Sequence, residues 1–289
     1  MSRNRRAQDL VFTLFGDILM HRGGPIWVGT IIRLLQPFGL SEGAARTVLS
    51  RMARKGWLST ERQGRNSYYQ LTSKGRKLLQ EGEDRIYHPQ WRDAWDGRWL
   101  LVTYTVPEDM RHLRDRLRDR LTWLGFGSLG NGLWISPGDL RDEVAEIAES
   151  LDTTDYLECF YGEAVAFTDT DRLVSRCWDL AGINHRYEEF ISEYVPIFDR
   201  CRIDIGRGAL TPEAAYGLRL KLINEYRIFP LLDPFLPGAL LPKNWAGQCA
   251  AHLFRVFHDL LADLSERHVD AVQAAAPARR VSAPEAVEQ

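Results

Sequence analysis

Cysteine is scarce in this chain. Cys159, Cys177, Cys201 and Cys249 are spread over 289 residues and form no C-x-x-C or Cys/His spacing, which excludes a locally encoded zinc site or disulfide framework. They are expected to be reduced, small apolar side chains. Long apolar runs are missing too: none approaches the ~18 residues that a bilayer crossing needs. Met1-Ser2-Arg3-Asn4-Arg5-Arg6 leads into an amphipathic pattern, not a signal-peptide core. The expectation is a cytoplasmic protein with no membrane partner. Catalytic fingerprints are also lacking, with no P-loop, G-x-S-x-G, H-E-x-x-H or dinucleotide-binding glycine pattern. Gly125-Phe126-Gly127-Ser128-Leu129-Gly130 follows a helical pattern instead of a strand and reads as turns between short strands. His185, His252 and His258 share no ligand spacing. No catalytic residue, metal site or cofactor is expected.

What the chain has is charge, unevenly placed. Hydrophobic content of 45% and charged content of 26% suit globular domains, and the length allows two or three of them. The formal net charge of −2 conceals a strong asymmetry. Residues 1–77 hold 14 Lys and Arg against 4 Asp and Glu, a net of +10, while the remainder holds 23 against 35, a net of −12. A polycationic end on an acidic body points to nucleic acid at that end and a different task at the other.

The basic end is organised around residues 41–57. At 3.6 residues per turn, Ala45, Val48, Leu49 and Met52 share one face, and Thr47, Ser50, Arg51 and Arg54 share the opposite one. Ser41 can cap the first turn, and Gly56 stands where a helix C-terminus takes a left-handed residue, with Arg54 and Lys55 near the negative end of the dipole. Any amphipathic surface helix presents such a polar face, so the flanks decide. Val28, Ile31, Ile32 and Leu35 mark a short helix to Phe38, and Gly39-Leu40 supplies a tight connection. Strand-like runs over 58–63 and 68–71 are joined by Gly64-Arg65-Asn66-Ser67, a hairpin with a basic tip. Together these describe a winged helix-turn-helix. Its candidate DNA-binding residues are Ser41, Arg46, Thr47, Ser50, Arg51, Arg54 and Lys55 on the helix, with Arg62, Arg65 and Asn66 on the wing.

Arg3, Arg5 and Arg6 precede a first helix over roughly 8–21, with Leu10, Leu14 and Ile18 inward, and a helix from Ser73 to about Tyr87 closes the domain. The run 98–106 reads as a buried strand, followed by a helix to about Leu124, strands over 125–129 and 133–136, a helix over 139–151 and a last strand within 156–167. The order β-α-β-β-α-β is that of a ferredoxin-like sandwich. From Thr168 onward the pattern is helical and aromatic, ending in an amphipathic helix over 250–264. The expected fold class is α+β, with a winged helix-turn-helix over 1–88, a ferredoxin-like domain over 89–168, a helical effector and dimerisation domain over 169–270, and a disordered tail over 271–289.

The residues from Gly43 to Met52, Gly56-Trp57-Leu58, Tyr69-Gln70-Leu71-Thr72-Ser73-Lys74-Gly75, Trp95-Asp96-Gly97-Arg98-Trp99 and Gly132-Leu133-Trp134-Ile135-Ser136-Pro137 form a series. Glu225-Tyr226-Arg227, Asp233-Pro234 and the run Leu240 to Gly247 complete it. In that order and spacing the chain resembles the PaaX family of phenylacetic acid catabolon repressors over nearly its whole length. The resemblance implies a bacterial transcriptional repressor that binds a palindromic operator, double-stranded DNA, as a homodimer. It also implies release by an aromatic acyl-CoA effector such as phenylacetyl-CoA, and a middle segment similar to the small ferredoxin-like nuclease of CRISPR adaptation.

Trp178, Tyr187, Phe190, Tyr194, Tyr226, Phe229, Phe235 and Trp245 are numerous enough to line an aromatic cavity, although helical spacing makes core packing the default for each. The candidate effector residues are Tyr226, Arg227, Phe229, Lys243 and Trp245. Arg227 and Lys243 would hold phosphates; alternatively, Arg227 pairs with Glu225 or Asp233. A nucleic-acid-processing enzyme is the competing class. Against it, the first ferredoxin-like strand ends Tyr104-Thr105-Val106-Pro107, and Glu108 and Asp109 fall past the proline on the next helix start. A constitutive DNA binder without a ligand would leave the acidic, aromatic C-terminal half without a task.

Overall fold

The computed structural model describes residues 3–89, 91 and 94–277. Helix α1 (Arg3–Leu14) passes into one π-helical turn, Phe15–Leu19. Arg3, Arg5 and Arg6 thus belong to the helix and do not precede it as an arm. Strand β1 (Ile26–Trp27) had no legible signal, because two residues are too few for periodicity; it pairs antiparallel with Tyr69 and Tyr68. Helix α2 (Val28–Leu35) ends in a 3₁₀ turn, and Gly39 takes φ 71° before helix α3 (Glu42–Arg54). The Ser41 hydroxyl accepts from the Ala44 N–H at 3.3 Å, a cap worth about 1 kcal/mol.

Strands β2 (Leu58–Gln63) and β3 (Asn66–Leu71) form the hairpin. Its turn is Gly64-Arg65, not four residues, because Asn66 and Ser67 already pair with Gln63 and Arg62. Gly64 supplies the positive φ, 59°, favoured at the first position of a two-residue hairpin loop. Helix α4 (Ser73–Tyr87) follows. The Thr72 hydroxyl caps it by accepting from the Gly75 N–H at 3.0 Å and donates to the Gly56 carbonyl at 2.6 Å.

Strand β4 (Arg98–Tyr104), helix α5 (Arg111–Trp123), strands β5 (Gly127–Gly130) and β6 (Leu133–Ser136), helix α6 (Arg141–Ser150) and strand β7 (Leu157–Glu163) give an antiparallel sheet of order β5-β6-β4-β7. This is the ferredoxin-like topology. Strand β4 is apolar along its length because both its faces are covered. Leu100, Val102 and Tyr104 pack with Leu117, Leu121 and Val144 of the helix layer. On the other face Trp99 and Leu101 pack with Val174, Leu180, Leu236 and Leu240.

The C-terminal part is helical: α7 (Thr170–Cys177), α8 (Leu180–Gly206), α9 (Pro212–Tyr226), the short α10 (Phe229–Leu232) and α11 (Gly247–Ala274). Helix α11 starts before Ala250 and continues past Leu264 into the stretch expected to be a disordered tail. Alanines favour the helix there, and Val272 packs on the core. The remainder of that tail, 278–289, lies outside the described residues.

The chain divides into two compact units. The first comprises Met1–His88, Tyr194–Tyr226 and His252–Gln289; the second comprises Pro89–Glu193 and Arg227–Ala251. The segment 169–270, expected as one helical domain, is shared between them. In the first unit Tyr216, Leu220 and Val269, each fully buried, join Val11, Leu14, Ile31 and Leu49 in one core. The Tyr216 hydroxyl donates to the Leu34 carbonyl at 2.6 Å. The helix-turn-helix is therefore built on α9 and α11 as well as on its own helices.

Candidate nucleic-acid interface and ligand clefts

Helix α3 buries Ala45, Val48, Leu49 and Met52 and leaves Ser41, Arg46, Thr47, Ser50 and Arg54 exposed, with Arg51 half-buried. Not all of these side chains are equally available. Arg46 is held by Glu42 one turn earlier, at 2.8 Å. The Thr47 hydroxyl donates to the Gly43 carbonyl at 2.8 Å, and Lys55 lies over the Trp57 ring at 4.5 Å. No acidic partner engages Arg51 or Arg54 among the described residues, nor Arg62 and Arg65 on the exposed hairpin, where Asn66 is half-buried. Unneutralised cations thus gather on α3 and at the wing tip, within one unit.

The same unit holds a polar cluster that residue spacing could not reveal. Asp17, at 4% side-chain exposure, is met by His258 Nε2 at 2.8 Å and by the Tyr87 hydroxyl, which donates to the same oxygen at 2.6 Å. Arg219 Nε stands 3.0 Å from the other oxygen of Asp17, an ion pair without hydrogen-bond alignment, and Arg219 also reaches Glu266 at 3.1 Å. Glu266 accepts in turn from Arg22, which binds Asp270 and Gln273. Burial alone would raise the Asp17 carboxyl. The His258 hydrogen bond, the Arg219 charge and the Tyr87 hydroxyl outweigh it and hold the group below the usual carboxylate range.

Of the five candidate effector residues, Tyr226 falls in the first unit and the other four in the second. Tyr226 belongs to the first unit, where its ring stacks on Phe254 at 4.0 Å and 8°. Phe229 belongs to the second, stacked on Tyr187 at 4.5 Å, while the Tyr187 hydroxyl donates to Asp233 at 2.8 Å. Both rings are core. Arg227 is half-buried and engaged. Lys243 and Trp245 do share a site: a cleft of about 1070 Å³ in the second unit, formed by residues 171–181 and 238–248. Arg176, Cys177 and Trp178 line its other wall. Asp179 is committed to capping α8 through the Gly182 N–H at 3.0 Å. Trp178 is fixed by donating to the Gly125 carbonyl at 3.1 Å, and Gly127 lets α7 approach β5 because a Cβ there would strike Cys177 and Trp178. Sequence reasoning had Trp178 among the aromatics that could line a cavity but missed Arg176, which lies on a segment far from Lys243 in the chain.

A smaller cleft of about 560 Å³ lies at the C-terminal end of β4, bounded by α5 and the β5–β6 turn. Glu108, just beyond that strand end, pairs with Arg114 at 3.1 Å.

Three family models match in sequence order: the PaaX-like protein model over residues 6–75, the PaaX protein central Cas2-like domain over 92–174, and the PaaX-like protein C-terminal domain over 178–271. This chain belongs to the PaaX family. It is 37% identical over 267 residues to the transcriptional repressor PaaX of Escherichia coli K12, covering 90% of this chain and 83% of that protein. It is thus a homologue of a transcriptional repressor. The uncharacterized protein Rv0674 from Mycobacterium tuberculosis has a similar fold, with a TM-score of 0.56, 22% identity, and coverage of 90% of this chain and 97% of that one. Among the described residues of this PaaX-family chain, no helix is long and apolar enough to cross a membrane.

Proposed function

We propose that the protein is a ligand-responsive repressor that binds operator DNA through α3 and the β2–β3 wing. The observation that carries this reading is the set of unneutralised cations, Arg51 and Arg54 on α3 with Arg62 and Arg65 on the wing, in a segment of net charge +10. A helix so equipped suits the major groove, with Thr47 and Ser50 between the arginines and the wing on phosphates. A single winged helix covers few base pairs, so the reading includes a homodimer on an inverted repeat. Sedimentation should then give about twice the 33.2 kDa chain mass. The operator is to be selected from genomic DNA and its affinity measured by anisotropy. Arg51→Ala should cost about 1–3 kcal/mol if it reads a guanine, and Arg65→Ala should flatten the salt dependence by about one unit of slope. Unchanged affinity in both variants overturns the assignment.

The effector reading places an aromatic acyl-CoA, such as phenylacetyl-CoA, in the larger cleft of the second unit, with Trp178 and Trp245 near the acyl group and Arg176 and Lys243 near phosphates. Its volume, about 1070 Å³, is at the upper end of ordinary ligand sites. Calorimetry with phenylacetyl-CoA, phenylacetate and coenzyme A, with and without operator, tests it. By reciprocity, a thioester that weakens operator binding must bind the DNA complex more weakly by the same factor. Equal affinity for free and operator-bound protein refutes the switch. The runner-up, a nucleic-acid-processing enzyme, loses ground at the end of β4, where two arginines line the cleft and Glu108 is held in an ion pair.

A further inference from the structure

We infer that the cleft at the C-terminal end of β4 binds a phosphate monoester carried on a small organic molecule, at a site separate from the acyl-CoA cleft. The polar part of the lining holds donors and no carboxylate: Arg114 and Arg118 from α5, Thr105 after β4, Ser128 of β5, Asn131 in the β5–β6 turn and Trp134 from β6. Arg114 and Arg118 are one helical turn apart, so their like charges repel until an anion lies between them. Glu108 holds Arg114, but among the described residues no acidic side chain pairs with Arg118. A guanidinium presents paired donors that match two phosphate oxygens.

The deciding observation is Trp134. Its side chain is packed into the core of the ferredoxin-like layer, at 6% exposure, and it lines this cleft, yet its indole Nε1 has no hydrogen-bond partner. A buried N–H without an acceptor is costly, and native structures seldom leave one unmet. A water molecule would satisfy the indole but leave the Arg118 guanidinium without a counter-charge; a phosphoryl group answers both. Asn131 stands beside them in the left-handed region, φ 51°, between Gly130 and Gly132. The volume, about 560 Å³, exceeds what a bare phosphate needs, and the Tyr104 and Trp134 rings give the organic part an apolar wall.

The test uses the full chain labelled with ¹⁵N at tryptophan. Trp134 is identified by the indole resonance lost in Trp134→Phe, and Trp178 and Trp245 report on the larger cleft. Inorganic phosphate and adenosine 5′-monophosphate are the probes, with adenosine as the uncharged control. A saturable shift of Trp134 with phosphate or the monophosphate but not adenosine, weakened about tenfold in the exposed variant Arg118→Ala, supports the site. No shift with either anion, or equal affinity in Arg118→Ala, overturns it. A shift of Trp134 with duplex DNA in place of the small anions makes the cleft a nucleic-acid contact and also overturns it. If phenylacetyl-CoA moves Trp134 and leaves Trp178 and Trp245 unmoved, the effector's own phosphate is the occupant and a separate site is refuted. If the small anions bind here while phenylacetyl-CoA binds nowhere, the effector reading fails and this one stands.

Discussion

Asp17 and His258 touch at 2.8 Å although 241 positions separate them. That contact and Arg219 hold a buried carboxylate whose pKa lies below the usual range. A depressed folded-state pKa means stability that is complete above the unfolded value of about 3.9 and is lost as pH falls through the lower folded value. Asp17→Asn should therefore cost about 3 kcal/mol in urea unfolding at neutral pH. The gap to the parent should close in strong acid, and a gap constant with pH would refute the assignment.

Residues 1–88 carry every proposed DNA contact but not the whole core. Cutting there removes Tyr216, Leu220 and Val269, all fully buried, and the Tyr216 bond to Leu34. At about 1.5–3 kcal/mol per buried side chain, the loss rivals the entire stability of a small domain. The excised fragment should melt broadly and bind the dye ANS; a cooperative fragment with the parent's operator affinity would count against this packing.

Gly75 lies against the backbone of Trp57 so closely that a Cβ would enter the Trp57 carbonyl oxygen and carbon. Backbone atoms cannot swing aside, so Gly75→Ala should cost about 1–3 kcal/mol and loosen the wing. Gly82, on the same helix with open space around it, is the control, and Gly82→Ala should stabilise by about 0.5–1 kcal/mol. Thermal melts of the two variants should move in opposite directions.

Local features were legible in the sequence, distant ones were not. Helix α3 announced itself because its apolar spacing, its Ser41 cap and Gly56 lie within one short stretch. The strands of the ferredoxin-like layer were visible for the same reason. Strand β1 was too short to carry a pattern. Nothing in the sequence singled out Asp17, Arg219 and His258 as a buried cluster, since residue type alone does not tell a solvated charge from a buried, paired one. The same blindness made Tyr226 and Phe229 look like cleft residues, when ring stacking places both in cores.

The difference between lining and packing is measurable. Lys243→Ala and Arg176→Ala, both exposed, should weaken acyl-CoA binding about tenfold each while leaving the melting temperature unchanged. Tyr226→Ala should do the reverse, costing about 3–5 kcal/mol of stability through the lost stack on Phe254. If Tyr226→Ala folds normally and abolishes ligand binding, the effector site lies elsewhere than proposed.

The entry of α9 and α11 into the helix-turn-helix core also sets an order of events during synthesis. A growing chain presents α3 early, yet residues that complete its support, Tyr216, Leu220 and Val269, emerge long after it. Closing contacts over so long a stretch is entropically slow. An unfinished or prematurely terminated chain would carry the arginines of α3 without the scaffold that aims them, so fragments of this protein should not compete with the complete one for DNA.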